Sequence, residues 1–325
     1  MKGIQVNKLG GPEMLEYVDL PDPIPQSHQV LIEVKCVSVN FADLKARSGK
    51  YHLGKKPPFI PGIDVAGVII GKGADVSGLH IGERVIAFPF GGSYAEKVIA
   101  DANLTFVLPD SVDYKTAAAC PIAAGTATHS LLHVARMKEG ETLLIHAAGG
   151  GVGSTALKIA KVLNPSFIAG STGSSWKIKE VLNLGADAVI DYADPSYPDK
   201  IKEMTEGKGI DVILNPIGGE TAAKDIKCLA PFGRLVLLGK IGDTSIPVPL
   251  ESLHAENRSV LGVSFGHYRR FRPELVRETM ETVIGLLEDK RFDIAVAADF
   301  PLKYASEAHR YVEERRGLGK VVMIP

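Results

Sequence analysis

The sequence predicts an α/β protein in two parts: a β-rich domain, then a doubly wound parallel sheet, with a final return of the chain to the first part. Three observations carry this. The chain has 325 residues, beyond the length at which a single core keeps growing, so two domains are expected. Its first third consists of short β-branched runs punctuated by Gly and Pro. Its middle alternates short apolar strands with helical stretches, the pattern of a parallel sheet covered on both faces.

In order, residues 30–39, 64–70, 83–87 and 95–100 read as strands, with Pro57-Pro58, Gly71, Gly73 and Gly91-Gly92 as turns, and suggest a barrel-like domain. The character changes near Pro121. Residues 125–137 and 153–163 place apolar residues at helical spacing, Val152, Ala156, Ile159, Ala160 and Leu163 forming one face. Six strands follow the second pattern, at 142–147, 166–169, 188–190, 212–214, 234–238 and 259–263. A basic loop, a helix over 273–287 and a last strand over 320–324 end the chain. The expected boundaries are 1–122, completed by 264–325, and 123–263.

Composition excludes several classes. With 45% hydrophobic and 23% charged residues, this is an ordinary globular chain rather than a disordered one. A net charge of -1 offers no general attraction for nucleic acid or anionic membrane. The apolar runs, such as Val65 to Ile70, are strand-sized, and the N-terminus has no secretory apolar stretch. Cys36, Cys120 and Cys228 are too scattered for a disulfide framework and suit a reducing compartment. A cytoplasmic protein without membrane or nucleic-acid partners is the expectation.

The strongest motif runs from His146 to Gly153, after a predicted strand and opening a predicted helix. From Ala148 it reads A-x-G-x-x-G, a dinucleotide fingerprint with Ala in the first glycine position. Gly150 lets the backbone approach a pyrophosphate, and Gly153 lets helix and strand pack closely. The helix N-terminus at Gly151 and Val152 offers unpaired N–H groups and positive potential. The alternative is a plain tight turn; the strand–turn–helix context favours a Rossmann domain. The position about 20 residues on, where an acid would mark NAD, is occupied by Ala169-Gly170-Ser171-Thr172-Gly173-Ser174-Ser175-Trp176-Lys177. Hydroxyls and Lys177 without any carboxylate suit the 2′-phosphate of NADPH; a solvated serine-rich loop is the alternative.

With those motifs in hand, the chain resembles the zinc-free quinone oxidoreductase (zeta-crystallin-like) branch of the medium-chain dehydrogenase/reductases. The resemblance rests on segments in a shared order: Val39-Asn40-Phe41-Ala42-Asp43 with Arg47-Ser48-Gly49-Lys50-Tyr51, Pro61 to Gly67, Gly82-Glu83-Arg84-Val85, Gly92 to Glu96, Gly125-Thr126-Ala127, the glycine turn, Pro216-Ile217-Gly218-Gly219, Gly233 to Val236 and Gly319-Lys320-Val321-Val322. It implies a GroES-like catalytic domain beside the Rossmann domain. By position it implies Asn40 and Tyr51 at the substrate, and Thr126, Phe265, Ile217 and Gly218 at the nicotinamide end. Lys177, Tyr192 and Arg315 (with Arg316 adjacent) would serve the adenosine phosphate end, joined by Ser171 from the hydroxyl-rich stretch above. It also implies a homodimer formed through the Rossmann domain, with Leu235 to Val248 extending a sheet across a two-fold axis. Three positions depart from the family: Lys45 in place of a second tyrosine, Asn215 where Asp is usual before the glycine turn, and Thr128 where an aromatic is common.

The chemistry expected is correspondingly metal-free. Positions that hold zinc in related alcohol dehydrogenases are Asn40 and Ile63. Hydride reduction of an already electrophilic acceptor, a quinone, then needs only hydrogen bonds and a proton source, Asn40 and Tyr51 polarising the acceptor oxygen. Tyr51 also reads as a rim tyrosine beside Pro57-Pro58. Reduction of enones, 2-alkenals or enoyl thioesters is a second reading, and a non-catalytic NADPH-binding redox sensor or RNA-associated protein a third. His129 and His133 read as ordinary helix histidines. Gly262-Val263-Ser264-Phe265-Gly266 spells a nucleophile elbow, but the basic stretch after it, His267 to Arg272, does not read as the helix that motif requires.

Overall fold

The computed structural model describes residues 1–51, 56–239 and 250–325. They divide into two units, Met1–Gly125 with Gly266–Pro325, and Thr126–Phe265.

In the first unit the strands are β1 (Lys2–Val6), β2 (Leu15–Asp19), β3 (Gln29–Val39), β4 (Val65–Lys72), β5 (Arg84–Ala87), β6 (Lys97–Asp101) and β7 (Thr105–Val107), with helices α1 (Phe41–Arg47) and α2 (Tyr114–Thr128). β3 is the spine. It pairs antiparallel with β4 and β6 through its first two-thirds, and at its end with the last strand of the chain. Its alternating side chains Val30, Ile32 and Val34 enter a core with Ile4, Val65, Ile69, Val85 and Tyr94. Full burial of each such aliphatic side chain stabilises the fold by about 2 kcal/mol. From Cys36 onward every residue of β3 is buried, so the strand runs straight into Asn40 without a solvent face.

The second unit contains β8 (Thr142–Ile145), α3 (Gly151–Val162), β9 (Phe167–Ser171), α4 (Lys177–Asn183), β10 (Ala188–Ile190), α5 (Tyr197–Met204), β11 (Ile210–Asn215), α6 (Gly219–Cys228), β12 (Leu229–Leu237), α7 (Leu250–Ala255) and β13 (Ser259–Gly262). Its parallel sheet has the order β10-β9-β8-β11-β12-β13. The order reverses at β8, flanked by β9 on one side and β11 on the other. That is the topological switch point at which doubly wound sheets bind nucleotides.

The first unit is completed by α8 (Phe265–Phe271, which begins at the boundary), α9 (Pro273–Glu288), β14 (Val296–Pro301), α10 (Ala305–Glu313) and β15 (Lys320–Ile324). β15 inserts between β14, parallel to it, and β3, antiparallel. A chain segment from the end thereby closes the sheet begun at the start.

Two expectations fail locally. The basic stretch is helical through Phe271, not a loop, with Arg272 capping the next helix: Phe265, Tyr268 and Phe271 recur every three residues, and the interleaved arginines obscure that period in the sequence. The turn before α8 is nonetheless no nucleophile elbow, because Ser264 is not among the residues with the positive φ of that strained turn. The helix expected from 125 begins instead at Tyr114 and carries Pro121 inside it; a π-helical segment, His129–Val134, follows. Ala117, Ala118, Ala119 and Cys120 are all buried, so this stretch has no amphipathic period to read.

Candidate functional site

In the first unit, the end of β3 and the start of α1 organise a buried ionic network. Asp64, fully buried, accepts from Ser38 N (3.2 Å), Ser38 Oγ (2.7 Å) and Asn40 Nδ2 (2.9 Å). The other side of the Asn40 amide is also taken: Lys320 Nζ donates to Asn40 Oδ1 (2.6 Å) and to the Val39 carbonyl (3.0 Å). Asn40 is thus clamped between a carboxylate and an ammonium. Burial pushes the Lys320 ammonium below its ordinary pKa, and the carboxylates of Asp64 and Asp43 pull it back.

Asp43 accepts from Asn40 N (2.9 Å), Gly62 N (3.2 Å) and Tyr94 Oη (3.3 Å). Burial, with the charge of Asp64, pushes its carboxyl up to about 7. The chain of contacts continues from Tyr94 Oη to His309 Nε2 (3.1 Å) and from His309 Nδ1 to Arg47 Nη1 (3.2 Å). A guanidinium can only donate, so Nδ1 accepts and Nε2 carries the proton. Burial, reinforced by Arg47, holds His309 down to about 3.

Tyr51 is partly buried, and burial raises its hydroxyl above the ordinary phenol value while the charge of Arg269 draws it back. Arg269, on α8, is 5% exposed; its Nη1 donates to the Ile63 carbonyl (2.9 Å) and its guanidinium lies 5.6 Å from the Phe88 ring centre and 5.5 Å from that of Phe90. The expected substrate-side residues thus share their unit with Arg269 and with Asp64 and Lys320, two groups that motif reading did not assign. Lys320 did leave a signal, since a lone cation opening the apolar run Lys-Val-Val-Met-Ile has to find a buried partner. A cavity of about 540 Å³ in the same unit, lined by Leu79, Phe106 and Arg277 among others, includes none of these residues.

In the second unit the glycine turn joins β8 to α3. A Cβ on Gly153 would stand 2.4 Å from the Ala147 carbonyl oxygen and 2.7 Å from Ala148 Cα, so only glycine allows this helix–strand contact. Gly150 is the N-cap of α3, and Gly151 and Val152 form its first turn. Ser171 ends β9 fully buried, with its hydroxyl 2.7 Å from His146 Nδ1. Lys177 opens α4 with its ammonium 5.0 Å from the Trp176 ring centre, and the Tyr192 hydroxyl packs where a Gly173 Cβ would lie. Ile217 and Gly218 donate their backbone N–H groups to Asn215 Oδ1, at 2.7 and 2.8 Å. Thr126 is buried near the end of α2, and Phe265 is buried with its ring centre 5.8 Å from that of His129. His129 and His133 stack at 5.0 Å, and burial holds His129 down to about 4. Arg315 belongs to the other unit, just beyond α10.

Among the described residues, no three His, Cys, Asp or Glu side chains are grouped as ligands for a metal ion. No helix among them is long and apolar enough to cross a membrane. Residues 240–248 of the segment expected to pair across a two-fold axis lie outside the described residues. Leu235 to Leu237 fall in β12, which is already paired on both sides, so the described sheet ends at β13 instead.

Comparison with known proteins agrees with this architecture. Residues 26–110 match the alcohol dehydrogenase GroES-like domain family, and residues 151–287 the zinc-binding dehydrogenase family. A quinone oxidoreductase of Rattus norvegicus is 34% identical over 331 residues, covering 100% of this chain and 98% of that protein. The solved structure of Escherichia coli quinone oxidoreductase complexed with NADPH matches with a TM-score of 0.90 and 29% identity, covering 100% of both chains. The CurK enoyl reductase structure matches with a TM-score of 0.90 and 25% identity, over 99% of this chain and 98% of that one. The two-unit fold, the glycine turn and the whole-length similarity agree, and the chain belongs to the medium-chain dehydrogenase/reductase family, among the quinone oxidoreductases.

Proposed function

We propose that this chain is an NADPH-dependent reductase that passes hydride to a quinone. The observation that carries the reading is the acid-free end of β9 beside a glycine turn in which Gly153 has no steric alternative. Such a site accepts a dinucleotide without repelling a 2′-phosphate. The first turn of α3, at Gly150 to Gly153, would hold the pyrophosphate, Lys177 and Tyr192 the phosphorylated adenosine, and Thr126, Ile217, Gly218 and Phe265 the nicotinamide. NADPH, when bound, supplies the hydride.

The chain's own residues then manage the acceptor oxygen. Tyr51, a phenol that burial moves further above neutrality, keeps its proton at neutral pH and donates a hydrogen bond to that oxygen. Asn40, clamped by Asp64 and Lys320, fixes the end of β3 from which α1 and Tyr51 follow. The NADPH-bound E. coli relative supports the coenzyme assignment, and the rat relative the acceptor class. The CurK enoyl reductase favours a second acceptor class, enones and enoyl thioesters, which accept hydride into the same kind of delocalised oxyanion. We place the protein in the cytoplasm as a homodimer, with β13, at the described end of the sheet, as the pairing edge.

The test is NADPH consumption against a 1,4-quinone, an ortho-quinone, an enone and a 2-alkenal, with NADH as control and the uncatalysed background subtracted. Saturable loss proportional to enzyme and weak with NADH confirms the reductase and names its acceptor. NADPH binding without turnover on any acceptor refutes it in favour of a binding protein.

A further inference from the structure

We propose that Asp225 and Asn215 form an exchangeable acid–amide pair that positions both ends of the coenzyme site. Asp225, on α6, is fully buried, and three donors converge on it. Tyr197 Oη (2.8 Å) and His146 Nε2 (2.7 Å) reach Oδ1, and Asn215 Nδ2 (2.5 Å) reaches Oδ2. Each donor carries the constraint onward. Because Asn215 spends its NH2 on Asp225, its Oδ1 must face the loop, where it takes the N–H groups of Ile217 and Gly218. Because His146 donates Nε2–H to Asp225, its Nδ1 accepts the Ser171 hydroxyl.

His146, Ser171 and Asn215 lie at the C-terminal ends of β8, β9 and β11, three neighbouring strands astride the switch point. One carboxylate therefore sets the loop at Ile217-Gly218 and the end of β9 together. The Ser171 hydroxyl serves this framework rather than the coenzyme. The inference rests on the coenzyme reading above, since it treats these two loops as the walls of the NADPH site.

The pair makes a specific demand on substitution. In Asp225→Asn, the new Oδ1 can keep Tyr197 and His146, but the new NH2 then faces the Asn215 NH2. Relief requires Asn215 to flip, which turns its NH2 onto the N–H groups of Ile217 and Gly218 and abolishes both bonds. In Asn215→Asp, two carboxylates face each other in a buried site. In the double variant Asn215→Asp/Asp225→Asn, every hydrogen bond returns, with the acid now on the strand and the amide on the helix.

The experiment compares these three variants with the unaltered protein by steady-state kinetics and by energy transfer from Trp176 to bound NADPH. Hydrogen exchange at residues 217 and 218 is followed in parallel. Losing the two loop hydrogen bonds in Asp225→Asn, and setting carboxylate against carboxylate under the same loop in Asn215→Asp, should each raise the KM for NADPH about tenfold, while kcat at saturation stays within about threefold. Exchange at 217 and 218 should accelerate. The double variant should return to within about threefold of the unaltered protein. A single variant that is insoluble while the double variant is soluble and binds NADPH supports the pairing equally. Single variants with unchanged KM overturn it, as does a double variant that is insoluble or no better than the poorer single one. If the unaltered protein itself gives no energy-transfer signal with NADPH, the coenzyme reading falls; if it binds and the single variants bind equally, only the pairing falls.

Discussion

Gly150 and Gly153 lie three residues apart in one turn, and the structure separates their roles. A methyl group on Gly153 would start 2.4 Å from the Ala147 carbonyl oxygen and 2.9 Å from its carbon. Those neighbours are backbone, fixed by the sheet, so α3 itself must move by at least about 0.6 Å to reach the 3.0 Å that Cβ atoms respect. Overpacking of this kind costs about 1–3 kcal/mol, against about 1 kcal/mol returned by the better helix propensity of alanine. Gly153→Ala should therefore lose up to about 2 kcal/mol in urea unfolding. Its NADPH affinity should fall about tenfold or more, since a displaced helix N-terminus no longer meets the phosphates squarely. At Gly150 a methyl carbon would stand 3.3 Å from its nearest neighbour, the Ala147 carbonyl oxygen, and φ is -87°, so alanine needs a shift of only a few tenths of an ångström. Gly150→Ala should cost within about 1 kcal/mol of stability and still weaken NADPH binding, by blocking the approach of the pyrophosphate. Unfolding curves and Trp176 energy transfer measured on both variants decide the matter. A Gly153→Ala protein with full stability and full affinity, or a Gly150→Ala protein that binds NADPH normally, would falsify the assignment of these glycines.

Other outcomes follow from the first unit. Lys320→Met leaves Asp64 and Asn40 without their cation and should destabilise the protein by about 3–5 kcal/mol by urea titration; a loss below about 1 kcal/mol would show that water replaces the ammonium. Asp43 has its carboxyl raised from 3.8 to about 7, so the folded state holds an extra proton between those values and this group's contribution grows as pH falls from 7. Asp43→Asn should therefore lose about 2 kcal/mol more than the unaltered protein on acidification from about pH 7 to 5, read as the difference in urea midpoints. Tyr51→Phe should lower kcat about a hundredfold with little change in the KM for NADPH; an unchanged kcat makes Tyr51 a rim residue.

Much of the fold was legible because its signals are periodic or stereochemical. The strands over 188–190 and 320–324 have the bounds the sequence suggests, since each is a short apolar run between turn residues. The glycine turn was legible because its steric demand permits so few residues. What escaped were features made by distant partners. Lys320 meets Asn40 across 280 positions, and His146 meets Asp225 across 79, so neither local pattern betrays the contact. The Ser171 contact was hidden for the same reason: nothing around a serine at the end of β9 shows that His146 holds its hydroxyl. Asn215 was legible only as a departure from the family, and Asp225 supplies the acid that its position lacks. The helix over Phe265–Phe271 was hidden by three basic residues, His267, Arg269 and Arg270, that read as solvated loop.

The insertion of β15 beside β3 also sets a schedule. Val39 and Asn40 are made early, yet the ammonium that satisfies them arrives 281 and 280 residues later. At about 5–20 residues per second on the ribosome, that interval is roughly 15 to 60 seconds. The second unit lies wholly within it and can fold while the first waits with an open edge on β3 and an unneutralised Asp64. Nascent chains stalled before Lys320 should accordingly protect the parallel sheet from proteolysis while leaving the β-rich unit open to cleavage and to chaperones.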